Sequence, residues 1–495
     1  MVNTKKKESD KETTLFHQDA FLSLSENMTY IKKKLQYTSD LCIQEMCICE
    51  AHMMICYIET TSDYKTIQNT ILTPLSKETP LPILLETIHA QKTKNLNKAV
   101  DMLLRGHTMI YVEGEKTLYM SHTAISFHRS PDEPQNEKVI RGSHEGFIED
   151  MQANLSLIRK KIVNCKLKIK YMTLGKNTQT KIALTYMEDF VNPMLLKQIE
   201  KKIESIPSTM ISGPGHVEAL IETQPWSLFP QVLYTERPDR VLAHVMEGKI
   251  ALLIDGSADV LILPITFLAF FQTPDDFNSR IWAASFLRLL RFLSFFIAIL
   301  LPALYIAVIS YHFEIIPNEI ILLVKSSVEG IPFSPLNEAI IMALTIELIR
   351  EAGIRLPTPI GQTIGIIGGL IIGDAVVRAG FVSNTMLIVI AVTTIASFTI
   401  PSYEMSTTVR LLTFPLMIAA TCLGLAGIAF GMMFILAHLC KLESFGTPYF
   451  MPFAPLNLAG LKDSIVRFPI WSIDQRIKHA ENEKYVDTDT TKTEE

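Results

Sequence analysis

The sequence lacks the features of three functional classes: nucleic-acid-binding proteins, disulfide-stabilised secreted domains and metal-binding modules. Lysine and arginine (46) are outnumbered by aspartate and glutamate (51), and the net charge of −5 excludes the basic surface that nucleic acid requires. Seven cysteines in 495 residues agree with a reducing compartment. Cys42, Cys47, Cys49 and Cys56 cluster near His52, but without a C-x-x-C pair, which favours half-buried thiols over a metal site.

Motifs of nucleotide binding and of hydrolytic catalysis are also missing. Gly213-Pro214-Gly215 is a turn signal with no Lys-Ser/Thr after it, and the sequence contains no G-x-S-x-G, H-E-x-x-H or H-R-D motif. We interpret His144 with Glu145, and His244 with Asp239, as ordinary surface pairs. The sequence therefore predicts a protein that is not an enzyme and that needs no cofactor.

The amino terminus has no apolar segment of the kind that forms a secretory signal peptide. Residues 1–20 begin MVNTKKKESDKETT and are expected to be a disordered polar tail. The charged region that follows, up to about residue 280, is long enough for one large or two ordinary domains. We expect this region to stay on the cytoplasmic side.

Alternating helix and strand patterns in this region predict two tandem α/β lobes, residues 21–127 and 141–283, joined by the polar linker 128–140. The first lobe is predicted to open with a helix over SENMTYIKKKLQYTSDLCIQEM, from about Ser23. The other predicted elements are a strand at 52–60, helices at 64–75, 94–105, 144–162, 192–206 and 235–248, and hairpin turns at Gly114 and Gly256.

Long apolar runs are what the sequence has in abundance. Residues 292–310 (FLSFFIAILLPALYIAVIS) carry no charge, and a helix of that length matches a hydrocarbon core of about 30 Å. Further runs lie at 360–377, 383–400 and 411–439. They predict an α-helical multi-pass membrane domain over residues 284–440, with four spans.

The distribution of basic residues predicts the orientation of these spans. Arg280, Arg288 and Arg291 precede the first run, and Lys441 with further basic residues follows the last, so both flanks are expected to be cytoplasmic. Four spans then place the turn within PSYEMSTTV (401–409) on the outer side and leave 441–495 as a cytoplasmic tail. Five spans, with one terminus outside, remain the alternative.

Residues 318–353 do not fit the pattern of a full span. Pro332 and Pro335 interrupt the segment, and Glu338 and Glu347 lie inside its second helical stretch. Broken backbone at membrane depth is tolerated where it is buried in protein or lines water. We therefore predict a re-entrant or interfacial segment that is able to move without breaking a span.

Ionised side chains and closely spaced glycines are the candidates for pore-lining or gating residues. Glu338, Glu347 and Asp374 lie in the membrane block, where a charge is expensive unless it faces a cavity or a partner. The alternative is local pairing, of Glu347 with Arg350 and of Asp374 with Arg378. Small residues at a spacing of four form a row that serves helix packing, a hinge or a pore wall: Gly361, Gly365, Gly369 and Gly373.

Several long motifs resemble those of one family. FPQVLYTERPDRVLAHVMEGKIALLIDGSADVLILPITF (229–267), IELIREAGIRLPTPIGQTIGIIGGLIIGDAVVRAGFVS (346–383) and IASFTIPSYE (395–404) are similar to segments of the A subunit of GerA-type spore germination receptors of endospore-forming bacteria. RGSHEGFIED (141–150) resembles a further motif of that family. The resemblance runs from about Ser23 to the last span.

The resemblance implies a location, partners and a task. An A subunit of this type is a receptor subunit in the inner membrane of the dormant spore, where it works with a transporter-like B subunit and a lipoprotein C subunit. It is expected to form a homo-oligomer in the bilayer that conducts ions when nutrient germinant is sensed. The alternatives are a secondary transporter of the nutrient and a non-conducting scaffold for the partner subunits.

Overall fold

The computed structural model describes residues 18–48, 51–77, 79–125, 134, 136–206, 210–328, 330–357, 360–361, 373–457 and 465–468. The chain divides into two compact units. The α/β unit comprises the described residues up to Glu222 and the segment Val232–Pro264. The helical unit comprises Thr223–Gln231 and the described residues from Ile265 onward.

The first lobe of the α/β unit is an antiparallel sheet of five strands in the order β1-β2-β4-β5-β3. Helices pack on both faces, so that alternate strand residues such as Met54 and Ile55 join two different apolar clusters. Its elements are α1 (Leu24–Lys34), β1 (Leu41–Ile48), β2 (Ala51–Ile58), short helical turns (Tyr64–Ile67, Gln68–Leu72, Thr73–Ser76), α2 (Leu81–Thr87), β3 (Gln91–Thr93), α3 (Leu96–Leu104), β4 (His107–Val112) and β5 (Leu118–His122).

The second lobe repeats this topology, with five antiparallel strands in the order β6-β7-β9-β10-β8. Counted within each lobe, both orders are first, second, fourth, fifth, third strand. Its elements are α4 (Met151–Lys161), β6 (Leu167–Leu174), β7 (Thr180–Met187), α5 (Pro193–Glu204), α6 (Pro214–Ile221), β8 (Leu233–Thr235), α7 (Pro238–Met246), β9 (Ile250–Ile254) and β10 (Val260–Leu263).

Equivalent side chains support this internal duplication. In the first lobe, the Asn27 side chain accepts from the Phe21 amide (3.0 Å) and donates to the Phe21 carbonyl (2.7 Å). In the second lobe, Asn154 makes the same pair of bonds with Ile148, at 2.9 and 2.5 Å. Each asparagine lies six residues after its partner and fixes the entry into the first helix of its lobe.

A buried ion pair joins the two lobes. Asp40, just before β1, binds Arg159 of α4 at 2.9 Å, and both side chains are fully buried. Thr60 donates to Asp40 (2.7 Å), and the amide of Ser39 donates to Ile169 of β6 (3.0 Å). Because a buried charge is stable only when its partners are satisfied, this contact makes the relative position of the lobes specific.

Two helix boundaries and one domain boundary differ from the sequence-based predictions. The opening helix ends at Lys34, and LCIQEMCI forms β1, because its β-branched and sulfur-containing side chains fill the sheet. The helix predicted over 144–162 begins at Met151, where Asp150 caps it. The second lobe ends at Pro264 rather than at residue 283.

The helical unit contains two helices that are long and apolar enough to cross a membrane, Ile281–Tyr311 and Tyr403–Leu423, with two shorter apolar helices beside them in the part of the chain that is described. Its elements are a 3-10 turn (Phe267–Phe271), α8 (Pro274–Asn278), α9 (Ile281–Tyr311), a 3-10 turn (Phe313–Ile315), α10 (Asn318–Val328), α11 (Pro335–Arg355), α12 (Gly373–Arg378), α13 (Asn384–Phe398), α14 (Tyr403–Leu423), α15 (Leu425–Lys441), β11 (Glu443–Ser444) and β12 (Thr447–Pro448).

Hydrogen bonds between helices give their relative directions. Thr413 donates to Ala298 (3.0 Å) and Tyr311 donates to Thr421 (2.6 Å), so α9 and α14 run parallel. The start of α13 lies against Tyr305 through Thr385 (2.8 Å). Its last turn accepts from the beginning of α14, where Ser406 donates to Ser397 (2.8 Å), so α13 runs antiparallel to both.

The run 411–439, predicted to be one span, is divided into two helices. Gly424 has φ +60° and ψ −138°, a conformation that ends α14 and starts α15. The chain then folds back so closely that a Cβ on Gly427 would lie 2.0 Å from the Ala419 carbonyl oxygen. The small residues of this stretch therefore form the contact surface of a tight helical hairpin.

The placement of the turn near Pro401 also differs from its prediction. Because α9 and α14 are parallel, the start of α14 lies at the same end of the bundle as the start of α9. The four-span scheme placed these two points at opposite ends. The scheme counted three crossings before Pro401, whereas α9 and the antiparallel α13, which starts beside the end of α9, account for two.

The length and aromatic residues of α9 fit a bilayer. Trp282 in its first turn is 88% exposed and Tyr311 in its last is 53% exposed. Their separation of 29 positions corresponds to about 43 Å of helix, close to the roughly 40–45 Å of a bilayer with its headgroups. Exposed aromatics at both ends are typical of helices anchored at the two membrane–water interfaces.

Paired glycines of the two lobes generate a prediction about stability. Gly106 and Gly248 end α3 and α7 with φ of +84° and +85°, and a Cβ would lie 2.6 Å from the Thr61 carbonyl oxygen or 2.4 Å from that of Phe190. We expect Gly106→Ala and Gly248→Ala each to lower the free energy of unfolding by at least about 3 kcal/mol, because strain and a backbone clash add.

The hairpin glycines provide the matched control. Gly114 and Gly256 have φ of +87° and +85° but nothing within 4 Å of an added Cβ. Alanine at either position is expected to lower the free energy of unfolding, measured by urea denaturation, by only about 1–2 kcal/mol. Equal losses at all four positions would show that the close backbone approach does not matter.

Candidate functional site

An ionised cluster lies among the helices of the helical unit. Glu347 of α11 accepts from Arg350 one turn later (2.6 Å) and forms an ion pair with Arg410 of α14 (3.2 Å). Both guanidinium groups are largely buried, with 11% and 15% of each side chain exposed. The predicted local pairing of Glu347 with Arg350 is therefore present, and the cluster also bridges two helices.

The remaining contacts of the two arginines differ. Arg410 donates to Ser406 (3.0 Å) and to Thr407 (2.8 Å), so each of its three nitrogens has a partner. Arg350 lies over the ring of Phe398 at 5.1 Å, but its buried Nε and Nη1 have no hydrogen-bond partner among the described residues. Arg350 is therefore the less satisfied of the two cations.

A small cavity, partly open to its surroundings, adjoins this cluster. Its walls come from α9, α11, α13 and α14. Thr393 and Thr394 contribute hydroxyl groups, but these donate to the carbonyls of Val389 and Ile390 at 2.8 Å. The rest of the wall is mainly apolar, with Pro302 and Met417 as examples.

Glu338 lies elsewhere on α11. Its side chain is buried and accepts from the Ser383 amide (3.0 Å), at the start of α13. A carboxylate at a helix N-terminus is stabilised by the free N–H groups there. Glu338 and Glu347 thus bind different helices, which agrees with their nine-residue separation.

The other predicted site residues are separate from this cluster. Asp374 is 55% exposed and pairs with Arg378 at 2.9 Å, as the local-pairing alternative predicted. Gly361 packs closely on α11, where an added Cβ would lie 2.8 Å from the Gly353 carbonyl oxygen, and Gly373 is buried. Gly365 and Gly369 lie outside the described residues.

Residues 223–231, which connect α6 to β8 in the chain, belong to the helical unit. The Ser227 hydroxyl lies 2.8 Å from His438 Nε2 of α15, and the Leu228 carbonyl accepts from Thr408 of α14 (2.5 Å). Phe229 stacks on His438 with ring centroids 6.1 Å apart. We refer to residues 223–231 as the connecting segment.

The C-terminal hairpin completes the contacts of the connecting segment. Thr223 donates to the Glu443 carbonyl (2.7 Å), and Ser444 donates to the Gln231 carbonyl (2.9 Å). The Gln231 side chain, fully buried, closes the segment by accepting from Thr223 and donating to the Gln224 carbonyl. Residues after Lys441 thus include a packed hairpin, where the sequence predicted only a tail.

The duplication shows that the connecting segment is an addition to the second lobe. In the first lobe the equivalent link, between α2 and β3, has only residues 88–90. Sequence reasoning missed the segment, although the apolar and proline-rich TQPWSLFPQ between a helix and a strand is unusual for a solvent-exposed loop. It also missed Arg410, because a single arginine near the start of an apolar run is typical of an interfacial residue.

Buried arginine contacts organise the beginning of α9. The Asp276 carboxylate accepts from Arg288 (3.0 Å) and Arg291 (2.9 Å) and is 1% exposed. Arg467 donates to the Phe277 carbonyl (2.8 Å) and is also buried. Two of the arginines that predicted a cytoplasmic flank are therefore partly neutralised by a local acid.

Two ionisable groups of the α/β unit have shifted pKa values. Burial raises the pKa of Glu218 to about 7, although its carboxylate accepts from Tyr234 (2.7 Å). Burial and the nearby Lys249 ammonium lower the pKa of His244 to about 4. His244 is thus buried beside Lys249, and Asp239 pairs with Arg237 (2.7 Å), so the predicted surface pair of His244 with Asp239 was wrong.

These features define a class: a duplicated α/β unit continuous with apolar helices of membrane-spanning length that enclose an ionised cluster. Among the described residues, no group of three or more His, Cys, Asp or Glu side chains is arranged to hold a metal ion.

Comparisons with known proteins identify the family. The family model described as Bacillus/Clostridium GerA spore germination protein matches residues 29–479. The chain is 37% identical over 464 residues to spore germination protein B1 of Bacillus subtilis, covering 92% of this chain and 96% of that protein. It is 35% identical over 476 residues to spore germination protein A1 of the same organism, covering 95% and 98%. The chain therefore belongs to the GerA family of spore germination proteins, as a receptor A subunit.

A solved structure also matches. It is the N-terminal domain of the A subunit of the Bacillus megaterium spore germinant receptor GerK3, at 26% identity and a TM-score of 0.40. The match covers 51% of this chain and 98% of that one.

The raised pKa of Glu218 predicts a pH dependence. A carboxyl that keeps its proton more tightly in the folded state adds stability at low pH, and this stability is lost as the pH rises through about 7. Glu218→Gln does not ionise, so its stability relative to the wild type should increase by about 1–2 kcal/mol between pH 5 and pH 8. Urea unfolding at both pH values measures this difference.

Glu204→Gln, at an exposed position on α5, is the control and should follow the wild type at every pH. If Glu218→Gln also follows the wild type, then Glu218 is ionised in the folded protein at neutral pH.

Proposed function

We propose that this chain couples the sensing of nutrient germinant to ion release in the spore inner membrane. It does so as a homo-oligomer that conducts ions, together with a transporter-like B subunit and a lipoprotein C subunit, with its α/β unit and C-terminal residues on the cytoplasmic side. Membership of the GerA family supports the process and the partners. The observation that carries the mechanism is the ionised cluster that bridges α11 and α14.

The cluster suits a gating role because its energy depends on the spacing of the two helices. An ion pair in an apolar surrounding is strong when the partners touch and costly when they part. A small shift of α14 relative to α11 therefore breaks the contact of Glu347 with Arg410, while its contact with Arg350 within α11 is kept. Two discrete arrangements of one carboxylate are the kind of element that a gate requires.

The connecting segment supplies a route for the signal to reach this cluster. Its carbonyl at Leu228 is bonded to Thr408, less than one helical turn from Arg410 on α14. A displacement of the segment therefore acts on the part of α14 that carries the arginine. Residues 318–353, which the sequence predicted to be the moving part, hold the other half of the cluster on α11.

The remaining candidates have supporting roles in this proposal. Glu338 positions the start of α13 through the Ser383 amide, and Asp374 with Arg378 forms an exposed pair available to a neighbouring subunit. The glycine row Gly361, Gly365, Gly369 and Gly373 would let a helix approach its neighbours closely enough to line a pore.

Ion release from spores that carry variants tests the gating role. We expect Glu347→Gln to change the rate of germinant-triggered ion release at least tenfold, because the variant cannot bind both arginines as an anion, while the amount of assembled receptor stays the same. The conductivity of a spore suspension measures release, and immunoblotting of membranes measures assembly.

Glu351→Gln is the matched control, since Glu351 lies on the same helix and pairs with Arg355 at the surface, where its side chain is 56% exposed. It should release ions like the wild type. Unchanged kinetics for Glu347→Gln with normal assembly would remove the cluster from the gating mechanism.

A further inference from the structure

The ionisable residues that line the cavity beside α11 do not balance in charge. In the described part of the chain they are one carboxylate, Glu347, and two guanidinium groups, Arg350 and Arg410. Residues 362–372, whose structure is outside the description, contain no ionisable side chain in the sequence. The described lining of the site therefore carries a formal charge of +1.

This excess charge lies deep in the helical unit. Arg410 is one turn before Thr413, whose hydroxyl donates to Ala298 at 3.0 Å, and Ala298 is inside the uncharged stretch 292–310. An uncompensated cation at such a depth is unfavourable by several kcal/mol or acquires a counter-charge.

The hydrogen-bond inventory points to the same missing partner. Arg350 donates to Glu347 through Nη2, and its buried Nε and Nη1 have no acceptor among the described residues. Buried N–H donors without an acceptor are rare in native structures, and a bound water or ion is one of the explanations for them. The nearby hydroxyl groups of Thr393, Thr394 and Thr413 already donate to backbone carbonyls and, being neutral, do not compensate the charge.

We propose that this cavity is a binding site for a small monovalent anion, a halide or a short carboxylate, held by Arg350 and Arg410. One such anion brings the formal charge to zero and accepts from the free donors of Arg350. The apolar wall formed by Pro302, Ile390 and Met417 favours a compact anion and disfavours a polyhydroxylated one. Loss of the anion leaves Glu347 as the one counter-charge for two cations among the described residues of the lining.

The test is anion binding to the full-length chain purified into lipid nanodiscs. Chloride and acetate are titrated separately against sodium gluconate, which keeps the ionic strength constant and carries five hydroxyl groups that the apolar wall cannot pair. We expect a saturable rise in the thermal unfolding midpoint with at least one of the two anions. The anion that binds at the lower concentration distinguishes a halide site from a carboxylate site.

Two variants with opposite expected effects keep the result interpretable. Arg350→Gln should weaken binding roughly tenfold or more, because a charged hydrogen bond and the net charge are both lost. Glu347→Gln raises the formal charge to +2 and should tighten binding, an outcome that misfolding cannot produce. Arg355→Gln, at the exposed end of the same helix, should bind like the wild type.

An absence of saturable binding by chloride and acetate in the wild type would overturn the proposal. So would equal responses in the wild type and Arg350→Gln, or a Glu347→Gln variant that binds no more tightly. Because binding is measured without germinant or partner subunits, a failure here leaves the gating proposal standing.

Discussion

Residues 223–231 are fixed in the helical unit by hydrogen bonds to α14, α15 and the β11–β12 hairpin, although their two neighbours in the chain, α6 and β8, are parts of the α/β unit. This constraint determines what the rest of the chain is able to do. In the proposed mechanism, a rearrangement of the second lobe that changes the distance between the end of α6 and the start of β8 acts on α14 through the Leu228–Thr408 bond. The ionised cluster on the same helix is the element that this mechanism assigns to the response.

The duplication of the α/β lobe shows that the connecting segment has no counterpart of equal length in the first lobe. Both lobes use the same strand order, the same asparagine at the start of the first helix and the same glycine after the last helix, α3 or α7. The first lobe joins its equivalent elements by three residues, and the second lobe by the longer connecting segment. One copy of an otherwise repeated fold has thus acquired an extension, and the buried Asp40–Arg159 pair holds the two copies together.

Local patterns predicted the strand at 52–60, the hairpin glycines and the Glu347–Arg350 and Asp374–Arg378 pairs, because each depends on residues near one another in the chain. The duplication escaped prediction since the equivalent residues lie more than a hundred positions apart and share few letters. The hairpin at Gly424 was missed because apolarity alone does not distinguish one long helix from two short ones. The conformation of one glycine, Gly424, separates the two helices. Contacts between distant segments, such as Glu347 with Arg410, cannot be predicted from the spacing of residues along the chain.

The most direct test is to replace residues 223–231 with the three-residue connection of the first lobe, Ile88-His89-Ala90, in the intact receptor. Hydrogen exchange of β8 and β9 reports whether the α/β unit still folds, and the conductivity of a spore suspension reports germinant-triggered ion release. Transmission through the connecting segment predicts normal protection of both strands together with loss of triggered release. Triggered release at the wild-type rate from a folded variant would contradict it.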